Sequence, residues 1–402
     1  MNRREILLGG AALALTPSWA RAQAAKALKI GVMNDMSGVY ADFQGPGSVI
    51  AAKLAVEDYS APLGVPVEIV SADHQNKPDV GAAIARKWFD SDGVDVIMDL
   101  PNSAVALAVV AIATEKNKAV IGSGAGTSVL TGPKCSRDFV QWTYDTYELG
   151  HSLGHAVTEQ GGKSWFFITA DYAFGKDLKA NCAAAVEAAG GKVLGEARHP
   201  LDTPDFSSFL LQAQASGADV VAFANAGGDL NNSLKQAHEF GLAQKQRLAS
   251  FVLNISNMPS LGLEAVAGSL ICTPFYWDFN EGTRAFAKRF QAVHPHKFMP
   301  NDMQAGMYAA TAHLMKAMAQ VRSAEDGVKL VDAMKAIPTD DPLFGKGSIR
   351  VDGRALHPVY LMAIKSPAES QGEWDCFKTV ATISPEDAWR PLDKGGCPFV
   401  KA

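Results

Sequence analysis

The sequence lacks a long apolar run beyond its first 22 residues. No later segment offers ~20 consecutive apolar residues, the length that a membrane-spanning helix needs. A basic excess is missing too, since 37 Lys and Arg residues face 42 Asp and Glu residues and the formal net charge is −5. Without a basic stripe to replace the counterions of phosphates, a nucleic-acid partner is not expected. We predict neither direct membrane insertion nor nucleic-acid binding.

Familiar catalytic motifs are absent as well. The glycines of 45–47 are followed by Ser48, and the dinucleotide-binding fingerprint fails at its third glycine. No G-x-S-x-G, P-loop or H-E-x-x-H motif occurs. His151 and His155 stand four residues apart on a predicted helix, yet Ser152 replaces the glutamate that a zinc protease needs. We predict no enzyme, no cofactor and no metal site, with an exported α/β enzyme acting on a small amide or acid as the alternative.

The start of the chain has the pattern of a secretory signal peptide. A positive segment at 2–4 precedes an apolar run at 6–15 and a small-residue end at 20–22. We expect a soluble mature protein that begins near Gln23 in the periplasm, with a net charge of −7 once this segment and its charge of +2 are removed. The arginine pair also resembles a twin-arginine signal, which leaves both that route and the general secretory route open.

Cysteine is scarce, with five residues in the chain. Five cysteines permit at most two internal disulfides and leave one thiol over. Cys182 falls on the predicted buried face of a helix, where we expect a packed free thiol. Because the exported compartment oxidises exposed thiols, we predict one disulfide that joins Cys397 to either Cys135 or Cys376.

The order of apolar segments predicts an α/β fold with two lobes. About 380 mature residues exceed what one hydrophobic core usually serves. From Leu28 to Ser123, short and continuously apolar strands alternate with helices, which is typical of a doubly wound parallel sheet covered on both faces. The rhythm breaks at 139–150, and a second round begins at Lys163. We predict two Rossmann-like lobes built on parallel sheets.

Two further breaks predict that the chain crosses between the lobes three times. The strand at 268–277 precedes helices with few strands of their own, and those helices are expected to return to the first sheet. A crossing near 347–353 would bring the strands at 357–365 and 376–383 to the second sheet. The predicted domains are a signal peptide at 1–22, a first lobe at 23–142 plus 277–350, and a second lobe at 143–276 plus 351–402, joined by three crossover strands.

The loop between the first strand and the first helix is long and rich in glycine. In an open α/β sheet this loop lies beyond the carboxyl end of its strand, where free backbone N–H groups and the positive end of a helix can hold a small anion. Tyr40 and Phe43 would add an apolar wall, or would instead fold into the core. We predict that this loop binds a molecule rather than merely turning the chain.

Four motifs carry a resemblance to a known family. The runs MSGVYADFQGPG, SGAGTSVLTG, ADYAFGKDL and ANAGGDL, in this order and behind a signal peptide, resemble the type I periplasmic solute-binding proteins. The branch that looks closest is that of the leucine/isoleucine/valine-binding receptors of ABC importers. The resemblance covers essentially all of the mature chain. It implies two lobes that close on a ligand by hinge bending, with a membrane permease as the partner, and we expect a monomer.

The resemblance also implies ligand-binding positions. Phe43 matches the place where the family has an aromatic side chain over the ligand, and the loop at Asn102 and Ser103 is similar to one that supplies a hydroxyl to a ligand carboxylate. The run 122–128 is expected to form an anion-binding nest, with a tight turn as the alternative. The candidates of the first lobe are Tyr40, Phe43, Asn102, Ser103, Gly124, Ala125, Gly126 and Thr127. Those of the second lobe are Asp171, Tyr172, Phe174, Asn225, Gly227 and Asp229.

These positions predict the chemistry of the ligand. Backbone amides of 124–127 with the Ser103 hydroxyl indicate a carboxylate, and the four aromatic side chains indicate an apolar slot. An amino acid would also need Asp171 or Asp229 to face its ammonium group, although either aspartate could instead cap a helix. The expected function is capture of a small hydrophobic carboxylate, either a branched-chain or aliphatic amino acid or an aromatic acid, for delivery to an ABC importer.

Overall fold

The structure is a computed structural model in which residues 27–401 are described. The predicted signal peptide at 1–22 and the predicted start of the mature chain near Gln23 lie outside the described residues. Within 27–401, no helix combines the length and the apolar character that crossing a bilayer would require.

The first lobe is built on a parallel sheet of five strands. Their order across the sheet is β2-β1-β3-β4-β5. Its central strands are buried on both faces, because helices cover each side. The elements are β1 (Leu28–Asn34), α1 (Gly45–Tyr59), β2 (Val67–Asp73), α2 (Pro78–Lys87), β3 (Val96–Asp99), α3 (Ser103–Lys116), β4 (Ala119–Gly122) and β5 (Phe139–Gln141).

The second lobe is built on a parallel sheet of four strands with the order β7-β6-β8-β9. Every residue of β6 is buried, as expected for a central strand between two helical layers. The elements are α4 (Thr146–Glu159), β6 (Ser164–Ala170), α5 (Ala173–Ala188), β7 (Lys192–His199), α6 (Ser207–Ala215), β8 (Val220–Ala224), α7 (Gly227–Glu239), β9 (Arg247–Ser250) and α8 (Met258–Leu261). The prediction of two α/β lobes with parallel sheets is confirmed.

Three later helices pack on the first sheet. They are α9 (Glu281–Val293), α10 (Asp302–Val321) and α11 (Gly327–Ala336). Met307, Leu314 and Leu330 share one buried cluster with Val32 and Ile121 of the first sheet. Helix α10 is buried along most of its length, because it lies between the sheet and neighbouring helices.

The strands near the C-terminus differ from the prediction. Strands β14 (Val359–Ile364) and β15 (Phe377–Ile383) do not extend the second parallel sheet. They form a separate sheet in which β14 lies in the centre and pairs antiparallel with β10 (Leu270–Thr273) on one side and with β15 on the other. Most of β15 is exposed, which a strand between two helical layers cannot be. A small antiparallel sheet of β11 (Thr339–Asp341), β12 (Gly345–Ile349) and β13 (Ala355–Leu356) was not predicted either, and a short helix α12 (Pro385–Ala388) follows β15.

A buried arginine ties together chain segments that run between the lobes. The Arg354 guanidinium donates to the carbonyl oxygens of Tyr144, at 2.9 Å, and Trp142, and it lies 4.2 Å from the ring of Trp389. The His357 ring adds a hydrogen bond to the Trp142 carbonyl oxygen at 3.0 Å. These contacts hold the segment after β5 against the segment around 354. The exact domain boundaries stay a prediction.

The predicted disulfide forms between Cys135 and Cys397. It joins the loop before β5 to the C-terminal tail across 262 positions of sequence. Cys376, the other partner considered, is a buried free thiol instead. Cys182 is free and buried as predicted, and burial raises the pKa of its thiol.

Candidate functional site

The two lobes meet around a small cavity at the carboxyl ends of their parallel strands. Its volume is about 10 Å³, because side chains of the two lobes contact each other directly. All of its lining side chains are uncharged, and five of them are aromatic. The lining residues are Tyr40, Phe43, Gln44, Pro101, Tyr144, Tyr172, Phe174, Ala226 and Met303.

The glycine-rich loop after β1 is shaped by one carboxylate. Asp35 accepts hydrogen bonds from the backbone N–H groups of Gly38, at 2.7 Å, and Tyr40, at 2.9 Å. The side-chain amide of Asn76 donates to the same carboxylate at 2.6 Å. The loop therefore has a defined path that directs Tyr40 and Phe43 inward, where both are buried in one cluster with Phe174.

Direct contacts join this loop to the second lobe. The Tyr40 and Tyr172 hydroxyls are 2.6 Å apart, and the N–H of Gly228 donates to the Val39 carbonyl oxygen at 2.8 Å. Gly227 has a φ of +63°, and a Cβ there would lie 2.1 Å from the Val39 oxygen. A glycine at 227 is what permits this approach of two backbones.

The loop after β4 is held mostly by its carbonyl oxygens. Tyr144 donates its hydroxyl to the Gly124 oxygen, at 3.1 Å, and the backbone N–H of Thr146 donates to the Gly126 oxygen, at 2.8 Å. Within residues 27–401, the backbone N–H groups of Ala125 and Gly126 donate no hydrogen bond. Gly126 packs closely against the Phe174 ring, since an added Cβ at Gly126 would lie only 2.8 Å from a ring carbon. Two unused donors thus lie beside the aromatic cavity.

The far end of the same loop already binds a carboxylate, which belongs to the protein. Asp177 of α5 accepts from the Thr127 hydroxyl at 2.7 Å and from the Ser128 N–H at 2.8 Å. The N–H of Thr127 donates to the Ser103 hydroxyl oxygen at 3.2 Å. Asp177 therefore joins the two lobes next to the cavity and uses part of the predicted nest.

The other polar residues that were predicted to bind the ligand do not line the cavity. Asn102 caps α3 and accepts from two backbone N–H groups. Asn225 is buried, and its side-chain amide contacts His199 at 3.1 Å and Ser233 at 3.3 Å. The Asp171 side chain is half exposed and forms an ion pair with Lys176 at 2.9 Å, which lowers the pKa of Asp171.

Asp229 does not line the cavity either. Its oxygens accept from the N–H groups of Thr203, at 2.8 Å, and Asp202, at 3.1 Å. The capping alternative was wrong for both aspartates, since α5 and α7 begin after Tyr172 and Ala226 without a side-chain cap.

Buried carboxyl groups surround the uncharged cavity. Burial raises the pKa of Asp99 and of Asp229 to about 6, and that of Asp302 to about 7. Burial is also the main reason why the pKa of Tyr40 is well above its usual value, with contributions from Tyr172 and then Asp229. The lining of the cavity is therefore uncharged, while acidic groups lie close to it.

Sequence reasoning missed five of the cavity-lining residues. Gln44 directly follows Phe43 in the glycine-rich loop, and this position was the available signal. Tyr144 comes from the crossing segment after β5 and Met303 from the first turn of α10, where no local pattern indicates a binding site. Pro101 and Ala226 each precede a helix, next to predicted positions.

The histidine pair of α4 does not assemble a metal site. His155 pairs with Glu159 at 3.4 Å, and the His151 ring stacks on Tyr147. Among the residues that the structure describes, no three His, Cys, Asp or Glu side chains form a cluster that could hold a metal ion.

Comparisons with known proteins agree with this architecture. A family model described as periplasmic binding protein matches residues 27–372. The crystal structure of a periplasmic binding protein from Burkholderia mallei is 44% identical with a TM-score of 0.90, and the match covers 93% of this chain and 99% of that one. A branched chain amino acid ABC transporter periplasmic ligand-binding protein from Burkholderia xenovorans LB400 is 39% identical with a TM-score of 0.80, covering 92% and 99%.

One Leu/Ile/Val-binding relative is similar to this chain over nearly its whole length. Leu/Ile/Val-binding protein homolog 6 of Brucella abortus (strain 2308) is 26% identical, over 97% of this chain and 98% of the relative. These similarities are to solute-binding proteins, and the family indicates an extracytoplasmic location. The chain belongs to the periplasmic binding proteins, in the type I group that includes the Leu/Ile/Val-binding proteins.

Proposed function

We propose that this protein is a periplasmic receptor that closes its lobes on a small carboxylate with an apolar body and delivers it to the permease of an ABC importer. The observation that carries this proposal is the aromatic cavity between the lobes, with the unused N–H groups of Ala125 and Gly126 beside it. Backbone donors and hydroxyls bind a carboxylate without an arginine, and aromatic walls suit an apolar body.

Two ligand classes fit this description, aliphatic amino acids and aromatic acids. The relatives with names that mention branched-chain amino acids or Leu/Ile/Val favour the first class. Neither Asp171 nor Asp229 offers a free carboxylate to an ammonium group, because both already have partners. The choice between the classes therefore depends on another acceptor.

Direct contact between the lobes bears on how a ligand enters. Ligand-sized sites have volumes of several hundred Å³, far more than the cavity of about 10 Å³. Entry thus requires the loop at 35–44 to separate from the second lobe. Hinge bending at the crossing segments is the motion that does this without disturbing either sheet.

A thermal-shift screen of the mature protein tests the proposal. Leucine, isoleucine and valine would be compared with benzoate and cinnamate, and with glucose and acetamide as controls. At a hundredfold excess over Kd, a ligand stabilises the folded protein by roughly 2.7 kcal/mol, which gives a clear rise in Tm. We expect at least one carboxylate to raise Tm and to be recovered unchanged by mass spectrometry. If only glucose or acetamide raises Tm, the carboxylate assignment is wrong, and chemical conversion of the ligand would contradict a receptor.

A further inference from the structure

Gln44 lines the cavity but is not among the ligand-binding positions predicted from the sequence. Its side chain is fully buried and lines the cavity between the lobes. It lies at the start of α1, directly after Phe43. A Cβ on Gly124 would fall 1.3 Å from Gln44 Nε2, so the amide of Gln44 lies against the backbone of the loop after β4. Gln44 thus connects the glycine-rich loop to the predicted nest.

Asp99 fixes the orientation of the Gln44 amide. Gln44 Nε2 donates to Asp99 Oδ1 at 3.0 Å, and Ser123 Oγ donates to the same oxygen at 2.9 Å. Asn34 Nδ2 donates to Asp99 Oδ2 at 2.8 Å. Because an ionised carboxylate only accepts hydrogen bonds, Gln44 must direct its NH₂ group toward Asp99 and keep its oxygen elsewhere.

The oxygen of Gln44 is left without a partner. Gln44 Oε1 is buried, and no hydrogen-bond donor within residues 27–401 reaches it. An unpaired buried acceptor costs about 1–3 kcal/mol, so natural structures seldom keep one without a use. Since Gln44 lines the cavity, a ligand between the lobes can supply the missing donor.

Charge identifies the kind of donor. The cavity-lining side chains carry no positive charge, while Asp99 lies directly behind Gln44 and Asp302 directly precedes the lining residue Met303. A simple carboxylate would bring one more negative charge next to these acids. An amino acid is a zwitterion without net charge, and its ammonium group is attracted by the same acids.

We infer that Gln44 Oε1 accepts a hydrogen bond from the α-ammonium group of an amino-acid ligand, with Asp99 behind Gln44 supplying the compensating charge. The inference rests on the proposed function and narrows it from small carboxylates to amino acids with an apolar side chain. Gln44, Asp99 and Gly124 all belong to the first lobe, so this subsite is complete before the lobes close.

The first test uses ligand pairs that differ only in the amino group. Leucine is compared with 4-methylpentanoate, and phenylalanine with 3-phenylpropanoate, by isothermal titration calorimetry of the wild-type protein. A hydrogen bond to a charged group is worth roughly 1.5–3 kcal/mol, so the amino acid of a pair should bind about ten- to hundredfold more tightly. Equal or tighter binding of the acid without an amino group would overturn the inference.

The second test removes the acceptor. Gln44→Met keeps a similar unbranched shape without the amide, and it should abolish most of the preference for leucine over 4-methylpentanoate while affinity for the latter changes little. Gln212→Met, on the exposed face of α6, is the matched control and should keep the wild-type preference. Should Gln44→Met fail to fold, Asp99→Asn is the second variant, and it should reduce the same preference by removing the charge.

The outcomes separate this inference from the proposed function. A folded Gln44→Met protein that keeps the full preference for leucine would overturn the role of Gln44 and leave the receptor intact. A wild-type protein that binds 4-hydroxybenzoate more tightly than every amino acid would overturn the ammonium assignment. Binding of none of these compounds by the wild-type protein would contradict the proposed function itself.

Discussion

Gly227 has a positive φ and also lies at a direct backbone contact between the two lobes. Its φ of +63° disfavours any other residue, and a Cβ would meet the Val39 oxygen of the opposite lobe at 2.1 Å. The second effect exists only when the lobes are together. Gly217 has nearly the same φ, +62°, but nothing within 4 Å of a Cβ, so it separates the two effects.

We predict that Gly227→Ala weakens both the fold and ligand binding, whereas Gly217→Ala weakens only the fold. Both Gly227→Ala and Gly217→Ala should lower the free energy of unfolding by about 1–2 kcal/mol, because alanine is strained at positive φ. Only Gly227→Ala should also prevent the lobes from meeting, with at least a tenfold loss of ligand affinity in calorimetry. Equal ligand affinities of the two variants would show that this contact does not matter for binding.

At the residue scale, the sequence predicts aromatic positions better than polar ones. Tyr40, Phe43, Tyr172 and Phe174 follow strand ends, and topology alone brings strand ends of parallel sheets together, as the cavity lining confirms. The partner of a polar group depends on distances of a few tenths of an ångström between distant segments. The contact between Thr127 and Asp177, and that between Gln44 and Asp99, therefore could not be predicted.

Helix α10 begins with a buried acidic residue. Asp302 lies in its first turn, and one carboxyl oxygen has no hydrogen-bond partner among the described residues. Burial raises its pKa to about 7, while the unfolded chain has a value near 4. The folded protein therefore holds this proton more tightly than the unfolded chain does. The stabilisation is fully present below the unfolded value and is lost as the pH rises through about 7.

We predict that Asp302→Asn removes this part of the pH dependence of stability. Three pKa units correspond to a change on the order of 4 kcal/mol in the free energy of unfolding. Relative to wild type, the variant should gain stability as the pH rises from 4 to 8 in urea titrations. Asp79→Asn, at an exposed position in the first turn of α2, is the control for loss of a carboxyl group near a helix start. A difference between Asp302→Asn and wild type that stays constant from pH 4 to pH 8 would contradict the prediction.

The elements that sequence reasoning misjudged are those whose pairing is decided by tertiary contacts. The apolar residues of 357–365 are compatible with either a parallel or an antiparallel neighbouring strand. In the structure β14 pairs with β10. It does not pair with β9, the edge strand of the second parallel sheet, which is only four residues long and whose first two residues are not fully buried. The polar residues Lys378 and Thr379, which are consecutive in β15 and both exposed, were the available signal that this strand is not covered on both faces.

At the scale of the whole molecule, the two lobes were predictable because each repeats one physical pattern. Continuous apolar strands must be covered on both faces, which requires alternation with helices, and two rounds of alternation require two sheets. The distance between the lobes could not be predicted from the sequence, because it depends on a few contacts across the cavity. Those contacts include the hydrogen bonds of Val39 and Tyr40 with Gly228 and Tyr172, and those of Thr127 and Ser128 with Asp177.

A disulfide across this interface would test whether the lobes must separate for binding. A Cβ built on Gly228 lies 3.6 Å from the Val39 Cβ, within the range that a disulfide spans, and both positions are partly exposed. We predict that the double variant Val39→Cys/Gly228→Cys, oxidised without ligand, no longer shows a ligand-induced rise in Tm. Mild reduction should restore the rise, because the lobes can separate again. Each single variant under the same oxidation is the control and should bind normally, and the Cys135–Cys397 bridge is common to all of them. Undiminished ligand affinity in the oxidised double variant would mean that the ligand enters without separation of the lobes at Val39.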